Sequence, residues 1–399
     1  MTRARLGLIG VTQYGSLHLR LVREQVAAGR AQACAATIIN PEEAPDAVAW
    51  LEANGARIYS HYRDMLEGER GRLDLVLVPT PIPWHAPMTC DALEAGANVL
   101  VEKPLAGSVA EVARIRDTEA RTGRFVAVGF QDIYAPVVQA LKRRILDGAI
   151  GRLVRIRSLG LWPRDSGYYA RNNWAGRLET PDGPVLDSPF NNAMAHFLNL
   201  ALFLAGERFN QSATLSDLQA ELYRARPIES FDTGCLRAHG PGGVEIVFLG
   251  SHSTAERQDV VLTVEGETGT AYWEHTGATW IESADGEREA FDPVDQQALR
   301  STMMEAVMRR LMEPEAFICT AALAERHTAL IAALHRNFPI HSIPDAHIAL
   351  QPREDGNQQP VVDGLDAALN AACREGCLLA ELAAPPAWSC PQAPVLLEG

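Results

Sequence analysis

The chain has 399 residues, 47% hydrophobic and 22% charged, with a formal net charge of -14. That length supports two domains with a core each, and that composition belongs to a folded globular protein rather than a disordered one. The acidic balance argues against nucleic acid or an anionic membrane surface as the main partner, since both need a basic face, and no apolar run reaches the roughly 18 residues that span a bilayer.

The N-terminal apolar run is too short for a secretory leader and passes directly into a first strand. Up to about Val128, β-type runs over 6–9, 33–39, 73–78, 98–101 and 125–128 alternate with helical patterns near 16–28, 41–54, 85–95 and 108–122. The alternation predicts βαβ units with right-handed crossovers, hence an α/β doubly wound parallel sheet of Rossmann type over residues 1–130. The first run leads into Gly10-Val-Thr-Gln-Tyr-Gly15 and a helix. A dinucleotide fingerprint needs a glycine for the turn, a second for close approach to a pyrophosphate and a third for helix packing. Here Thr12 stands in the middle, where a side chain obstructs the approach although its hydroxyl can donate to a phosphate oxygen.

The second run closes on Asn40-Pro41. An acid at that point accepts both ribose hydroxyls of NAD, whereas an amide neither repels a 2′-phosphate nor holds it, so both NAD and NADP stay open. A turn asparagine before proline is the plainer alternative. The run ending at Val78 continues Pro-Thr80-Pro81-Ile-Pro-Trp84-His85, where three prolines fix the backbone as it leaves the sheet. Trp84 and His85 are candidates to face a cofactor cleft, against a rigid loop with a histidine at a helix start. In Asn98-Val-Leu-Val-Glu-Lys-Pro-Leu105 the apolar run stops at an acid, a base and a proline, which a buried strand interior does not hold unpaired. Lys103 therefore sits at the carboxyl end of a strand, the edge of an open α/β sheet where ligands bind. A solvated lysine closing a strand is the alternative.

These residues carry a likeness. The opening Gly-Leu-Ile-Gly with Gly15 and His18, Thr80-Pro81 with His85, Ala95-Gly-Ala-Asn-Val-Leu-Val-Glu-Lys-Pro-Leu105, Val128-Gly-Phe, and His196 on a later helix ending Leu204-Ala-Gly206 resemble the Gfo/Idh/MocA family of NAD(P)-dependent sugar and cyclitol oxidoreductases. The resemblance implies that Lys103 is the active-site lysine beside the nicotinamide, that His196 is its partner on a substrate-domain helix, and that the Lys103-Pro104 peptide is cis. It also places Thr80, Pro81, His85 and Glu102 with Gly10, Thr12, Gly15 and Asn40 around the cofactor. The chain departs from the family at Thr12, at Asn40, at Gln131-Asp132 and at Asn192, where relatives carry Asp four residues before the histidine. Asparagine cannot ionise, so it orients a hydroxyl without sharing its proton. Asp187 is a carboxylate that stands upstream, nine residues from His196.

Residues 131–399 read as a second, α+β domain for substrate binding and oligomerisation. A helical pattern over 137–146 precedes strand candidates at 153–162, 212–223, 233–238, 244–251, 260–265 and 270–273, an order that favours a mostly antiparallel sheet with helices on one face. The resemblance suggests that the open face is an oligomer interface, in a dimer or tetramer. Gly167-Tyr-Tyr-Ala-Arg-Asn-Asn-Trp-Ala-Gly-Arg177 is the richest polar and aromatic cluster. Tyr169 and Trp174 suit the apolar face of a pyranose while Arg171, Asn173 and Asn192 suit hydroxyls, and Arg171 also suits a carboxylate or phosphate; aromatics plugging a gap are the alternative. Asn192 and His196 are expected one turn apart on one helix face. Helical patterns return at 296–312, 320–336 and 365–382, with a polar connection over 351–359 and a proline-rich tail from Pro385.

Seven cysteines without framework spacing suggest free thiols in a reducing, cytoplasmic compartment. No metal is expected: Cys373 and Cys377 lack a nearby second pair, and His327, His335, His341 and His347 lack ligand spacing. The favoured function is hydride transfer between NAD or NADP and a secondary alcohol of a sugar, sugar acid or cyclitol, with Lys103, His196 and Asn192 in the site. Two alternatives are a non-redox sensor that keeps the fold, and an NAD-assisted elimination or glycosidic cleavage.

Overall fold

The computed structural model describes residues 3–293 and 295–397. The chain forms two compact units, one from the chain up to Tyr134 together with Gln297–Thr328, the other from Ala135–Gln296 together with the chain from Ala329 on. The division expected at residue 130 thus falls slightly later, and the segment after 296 is shared between the units. The cause is an edge that the sequence leaves without a visible partner. Val128 N–H donates to Cys319 O at 2.8 Å, and Ser301 Oγ donates to Glu24 at 2.7 Å, so 297–328 packs on the first unit.

That first unit holds β1 (Ala4–Ile9), β2 (Ala31–Thr37), β3 (Arg57–Tyr59), β4 (Leu75–Val78), β5 (Asn98–Val101) and β6 (Val126–Val128), in the order β3-β2-β1-β4-β5-β6. Every pairing is parallel. Helices α1 (Tyr14–Ala27), α2 (Pro45–Ala53), α3 (Tyr62–Gly68), α4 (His85–Glu94) and α5 (Val109–Thr122) make the crossovers. β3 and α3 escaped the periodicity because each is too short to show one. The order reverses between β1 and β4, so the crevice at their carboxyl ends is the expected ligand position. Val99, Leu100 and Val101 are fully buried, as a strand flanked on both sides must be.

In the second unit α6 (Pro136–Leu146) precedes β7 (Leu153–Leu161). Around β7 a ten-stranded sheet assembles. Gln258–Gly266, Gly269–Glu274, Thr279–Ser283 and Arg288–Phe291 follow on one side, and Glu245–Ser251, Thr233–His239, Asp217–Arg224 and Ile340–Ser342 on the other, with Val395–Leu396 as the tenth strand, paired to the start of Asp217–Arg224. It is mostly antiparallel, but β7 runs parallel to Glu245–Ser251. The polar stretch read as a connection over 351–359 is instead part of a hairpin, Ile348–Pro352 with Gln358–Val362.

Three glycines create the seat for the helix that carries His196. Gly160 lies opposite Gly250, and Gly250 opposite Gly234, a row across three adjacent strands. A Cβ at Gly250 would come 2.5 Å from Met194 Sδ, and one at Gly234 would come 2.9 Å from the Phe190 ring. Phe190 then meets Phe231 and Phe248 edge-on, with centroids 5.4 and 5.0 Å away. From Met194 the chain enters α8 (Ala195–Leu204). The fully buried Lys142 of α6 closes the far end of α8, donating to Phe203 O at 2.6 Å, to Leu204 O at 3.2 Å and to Gly206 O. Burial pulls its pKa down to about 7.

The sheet face expected to stay open is covered by the chain itself. Helix α11 (Leu365–Glu375; α9, Leu299–Arg310, and α10, Ala321–Asn337, precede it) and the residues after it bury Leu365, Leu369, Leu378 and Leu379 against Leu159, Cys235, Val247 and Leu249. Arg157 donates to the carbonyls of Cys373 and Arg374, each at 2.8 Å. The C-terminal helix thus supplies apolar cover over that part of the face. Gly250→Ala is expected to destabilise the chain by about 1–3 kcal/mol, because a methyl group is forced into a filled site. Urea unfolding checks it, and an unchanged midpoint contradicts the glycine seat.

Candidate active site

In the first unit the carboxyl ends of β1, β4 and β5 collect most of the expected residues. Gly10 has φ +90°, a left-handed conformation that favours glycine, and a Cβ at Gly15 would lie 2.6 Å from Gly10 O. Those two glycines let α1 start directly against the strand end, with no acidic residue in its first turn, so its N–H groups suit an anion such as a pyrophosphate. Thr12 is exposed on this turn, and its carbonyl accepts the Gly15 N–H at 2.8 Å. Asn40, also exposed, donates to Glu43 at 2.7 Å. An acid missing from the end of β2 is thus present three residues later, where a search of the strand terminus alone does not find it.

Glu102 directly follows β5 and is 5% exposed. It accepts the Lys103 N–H at 3.1 Å and pairs with His18 Nε2 at 2.8 Å. Burial pushes its carboxyl up, but the His18 hydrogen bond and charge, with Lys103, outweigh that and hold it below the usual carboxylate range. Gly129 makes room, since a Cβ there would stand 3.0 Å from the carboxylate atoms. Lys103 follows, half-buried, and its peptide with Pro104 is cis, as expected. His85 does not open onto a cleft. It is buried, with Nδ1 at 2.7 Å from Pro104 O and Nε2 at 2.7 Å from Thr80 O, tying the ends of β4 and β5 together. Burial favours its neutral ring, which can donate to only one of the two carbonyls, while both carbonyls and Glu102 favour the imidazolium. Pro81 and Trp84 lie exposed beside it. Asp132, buried after β6, was noted in the sequence only as a departure; burial raises its pKa to about 7.

The second unit separates residues that the sequence grouped. After β7, Asp165 caps α7 (Ser166–Ala170) by accepting the Tyr168 N–H at 2.9 Å. Tyr169 is committed: its hydroxyl lies 2.8 Å from His252 Nδ1, and its ring lies under Arg226 at 4.4 Å. Tyr169 and Asn173 line a cavity of about 550 Å³ with Arg226, Glu229 and Gln358. Tyr168, not singled out in the sequence, instead joins Arg171, Trp174 and Asn192. Arg171 lies 3.6 Å over the Tyr168 ring and 5.1 Å from that of Trp174. The Asn192 amide donates to Tyr168 Oη at 3.3 Å and to Asp187 Oδ1 at 2.9 Å, while Asp187 Oδ2 accepts the Gly176 N–H at 2.6 Å. Asp187, 2% exposed, therefore reaches Asn192 through the loop.

Asn192 is not on the helix with His196. α8 begins at Ala195, and Asn191 donates to Val185 O and Leu186 O, holding this turn outside the helix. The expected one-turn spacing on one face does not apply. His196 is the second residue of α8 and half-buried.

Residues 4–130 match the profile of the GFO/IDH/MocA oxidoreductase family with its NAD-binding Rossmann fold, and residues 138–272 match the C-terminal domain of the same family. The chain belongs to the Gfo/Idh/MocA oxidoreductase family. It is 38% identical to inositol 2-dehydrogenase of Klebsiella pneumoniae over 206 residues, and 27% identical to that of Corynebacterium glutamicum over 205. In each case the match covers 51% of this chain and 55% of the relative, so the chain spans about half the length of these curated relatives. Among solved structures, the WlbA dehydrogenase of Bordetella pertussis, in complex with NADH and UDP-GlcNAcA, superposes with a TM-score of 0.68 at 23% identity, covering 84% of this chain and 96% of that one. At that identity the likeness speaks for the fold.

Since the Glu102 carboxyl titrates lower in the folded chain than in the unfolded one, its contribution is complete above the ordinary carboxylate pKa and is lost as pH falls through the depressed folded value. Glu102→Gln is expected to cost about 1–3 kcal/mol near neutral pH. In acid the gap to the parent chain should narrow, as denaturant unfolding at a series of pH values will show; a gap that stays constant contradicts a charged Glu102.

Proposed function

We propose that the chain is an oxidoreductase that moves a hydride between a nicotinamide cofactor and a secondary alcohol of a sugar, sugar acid or cyclitol. What carries the reading is Lys103 at the carboxyl end of β5, on a segment held by the buried Glu102 and by His85, in a chain of this family. The Gly10 to Gly15 turn suits a pyrophosphate, and the WlbA dehydrogenase structure of like fold holds NADH. Bound nicotinamide supplies the hydride acceptor or donor. In the oxidising direction His196 takes the hydroxyl proton and the Lys103 ammonium stabilises the developing alkoxide. Asn192, its amide nitrogen turned to Asp187, positions the substrate.

NAD is preferred over NADP in this reading. Asn40 is tied to Glu43, with Glu42 alongside, and that carboxylate pair repels a 2′-phosphate. The seven free thiols agree with work in a reducing compartment such as the cytoplasm.

Lys103→Ala is expected to lower kcat by about a hundredfold or more, the range of a lost proton-handling group, while NADH still binds. His196→Ala should act similarly and, in the oxidising direction, should remove the acidic limb of the pH profile, where a protonated imidazole no longer accepts the hydroxyl proton. Calorimetry with NADH and NADPH, followed by turnover across a polyol and sugar-acid panel, checks both points. Failure of the chain to bind either nucleotide, or unchanged turnover in the Lys103 variant, sinks the proposal.

A further inference from the structure

Two guanidinium groups crowd one tyrosine in the second unit. The guanidinium carbons of Arg164 and Arg171 lie 4.9 and 3.6 Å from the centroid of the Tyr168 ring. Like charges gathered at one place repel, and the ring offsets this only in part, at about 0.5–2 kcal/mol for each cation. The nearby carboxylates are otherwise engaged. Asp232 accepts from Arg226 at 2.9 Å, Asp165 from the Tyr168 N–H, and Asp187 from Gly176 and Asn192. Arg164 and Arg171 donate to the backbone carbonyls of Pro163 and Tyr168, and Arg164 also acts on the Tyr168 hydroxyl as a donor. Arg164 Nε is buried with no hydrogen-bond partner among the described residues. In a chain of net charge -14, two guanidinium groups stand together here, and among the described residues no carboxylate is hydrogen-bonded to either.

The tyrosine adds to it. Only the nitrogen end of the Asn192 amide can face the Asp187 carboxylate, and the same nitrogen donates to Tyr168 Oη. The tyrosine oxygen is therefore an acceptor toward Asn192, and its own hydrogen points elsewhere as a donor. Burial, then Asp187, push the Tyr168 pKa up, so the hydroxyl keeps that hydrogen at neutral pH. His252 nearby is driven to its neutral form by burial and by Arg164, Arg226 and Arg171. A neutral polyol needs acceptors as well as donors around each hydroxyl. A group met by donors alone is one that only accepts.

We propose that Arg164, Arg171 and Tyr168 bind the anionic group, a carboxylate or a phosphoryl, of a polyhydroxylated substrate. The planar fork of arginine matches both, and the charge-assisted bonds set the substrate end to end. The inference rests on the preceding functional reading only in taking the anion's carrier as the substrate of that reaction. It narrows that reading from sugars, sugar acids and cyclitols together to the acids and phosphate esters alone.

The test is calorimetric titration of the full chain, with and without NADH, using glucuronate, glucose 6-phosphate, glucose and myo-inositol. At least one anionic probe is expected to bind about tenfold or more tightly than glucose, and Arg164→Gln and Arg171→Gln should each weaken it about tenfold or more. Arg171→Lys should restore part of the loss. Tyr168→Phe, which keeps the ring and removes the donor, should weaken the anionic probe and leave the melting temperature in place. Which of the two anions binds more tightly distinguishes carboxylate from phosphoryl. The inference is overturned if neither anion binds, if glucose or myo-inositol binds as tightly, or if both glutamine variants match the parent. Heat is read without any redox step, so anion binding without a change in nicotinamide absorbance counts against hydride transfer and leaves this site standing.

Discussion

The first unit is organised by one buried carboxylate. Glu102 stands where a fully apolar strand ends, and an acid in that position needs partners to stay ionised. It takes His18 from α1 and the N–H of Lys103 from its own chain. A single residue thereby joins the helix that follows β1 to the end of β5 and sets where the lysine leaves the sheet. Gly129, just past the end of β6, leaves the space that the carboxylate occupies and a side chain would need. His85 repeats the device with carbonyls instead of a charge, linking Thr80 to Pro104. Around Lys103, then, the polar contacts serve mainly to hold backbone.

In the second unit the equivalent part is the turn before α8. The glycine row at 160, 250 and 234 seats Phe190 and Met194 in the sheet, which fixes where α8 begins and hence where His196 falls. The same seating keeps Asn192 out of the helix and within reach of Asp187. Asp187 reaches this turn from a loop and accepts from the Asn192 amide. The amide does not ionise, so Asp187 acts on its orientation, and through it on the direction of the Tyr168 hydroxyl. Tyr168 and Tyr169 are neighbours in sequence with separate duties, because one hydroxyl meets Asn192 and the other His252.

Much was legible beforehand. The alternation of short apolar runs and helical patterns told of a doubly wound sheet, since strands buried on both faces must be continuously apolar. The break from Val101 to Glu102, Lys103 and Pro104 marked the end of a strand without any structure, because charge does not enter such an interior unpaired. These are local properties, written in consecutive residues. The covering of the sheet by Leu365, Leu369 and Leu379 was not legible, because an amphipathic helix shows that it has an apolar face and not what that face meets. Nor was the packing of 297–328 on β6, which depends on an edge far away in sequence.

What the sequence determined by itself was the type of each element and the chemistry available at strand ends, both set by residues within a few positions of one another. Only the tertiary structure decided which groups share a site: Glu43 beside Asn40, Asp187 behind Asn192, Arg164 with Arg171 over Tyr168. The first two arise from irregular turns, where no period ties sequence spacing to direction. The third joins the end of a strand to the loop beyond a short helix. Hydrogen bonds and charge act over a few ångströms in space, and the chain reaches those distances through turns whose course is set by packing elsewhere.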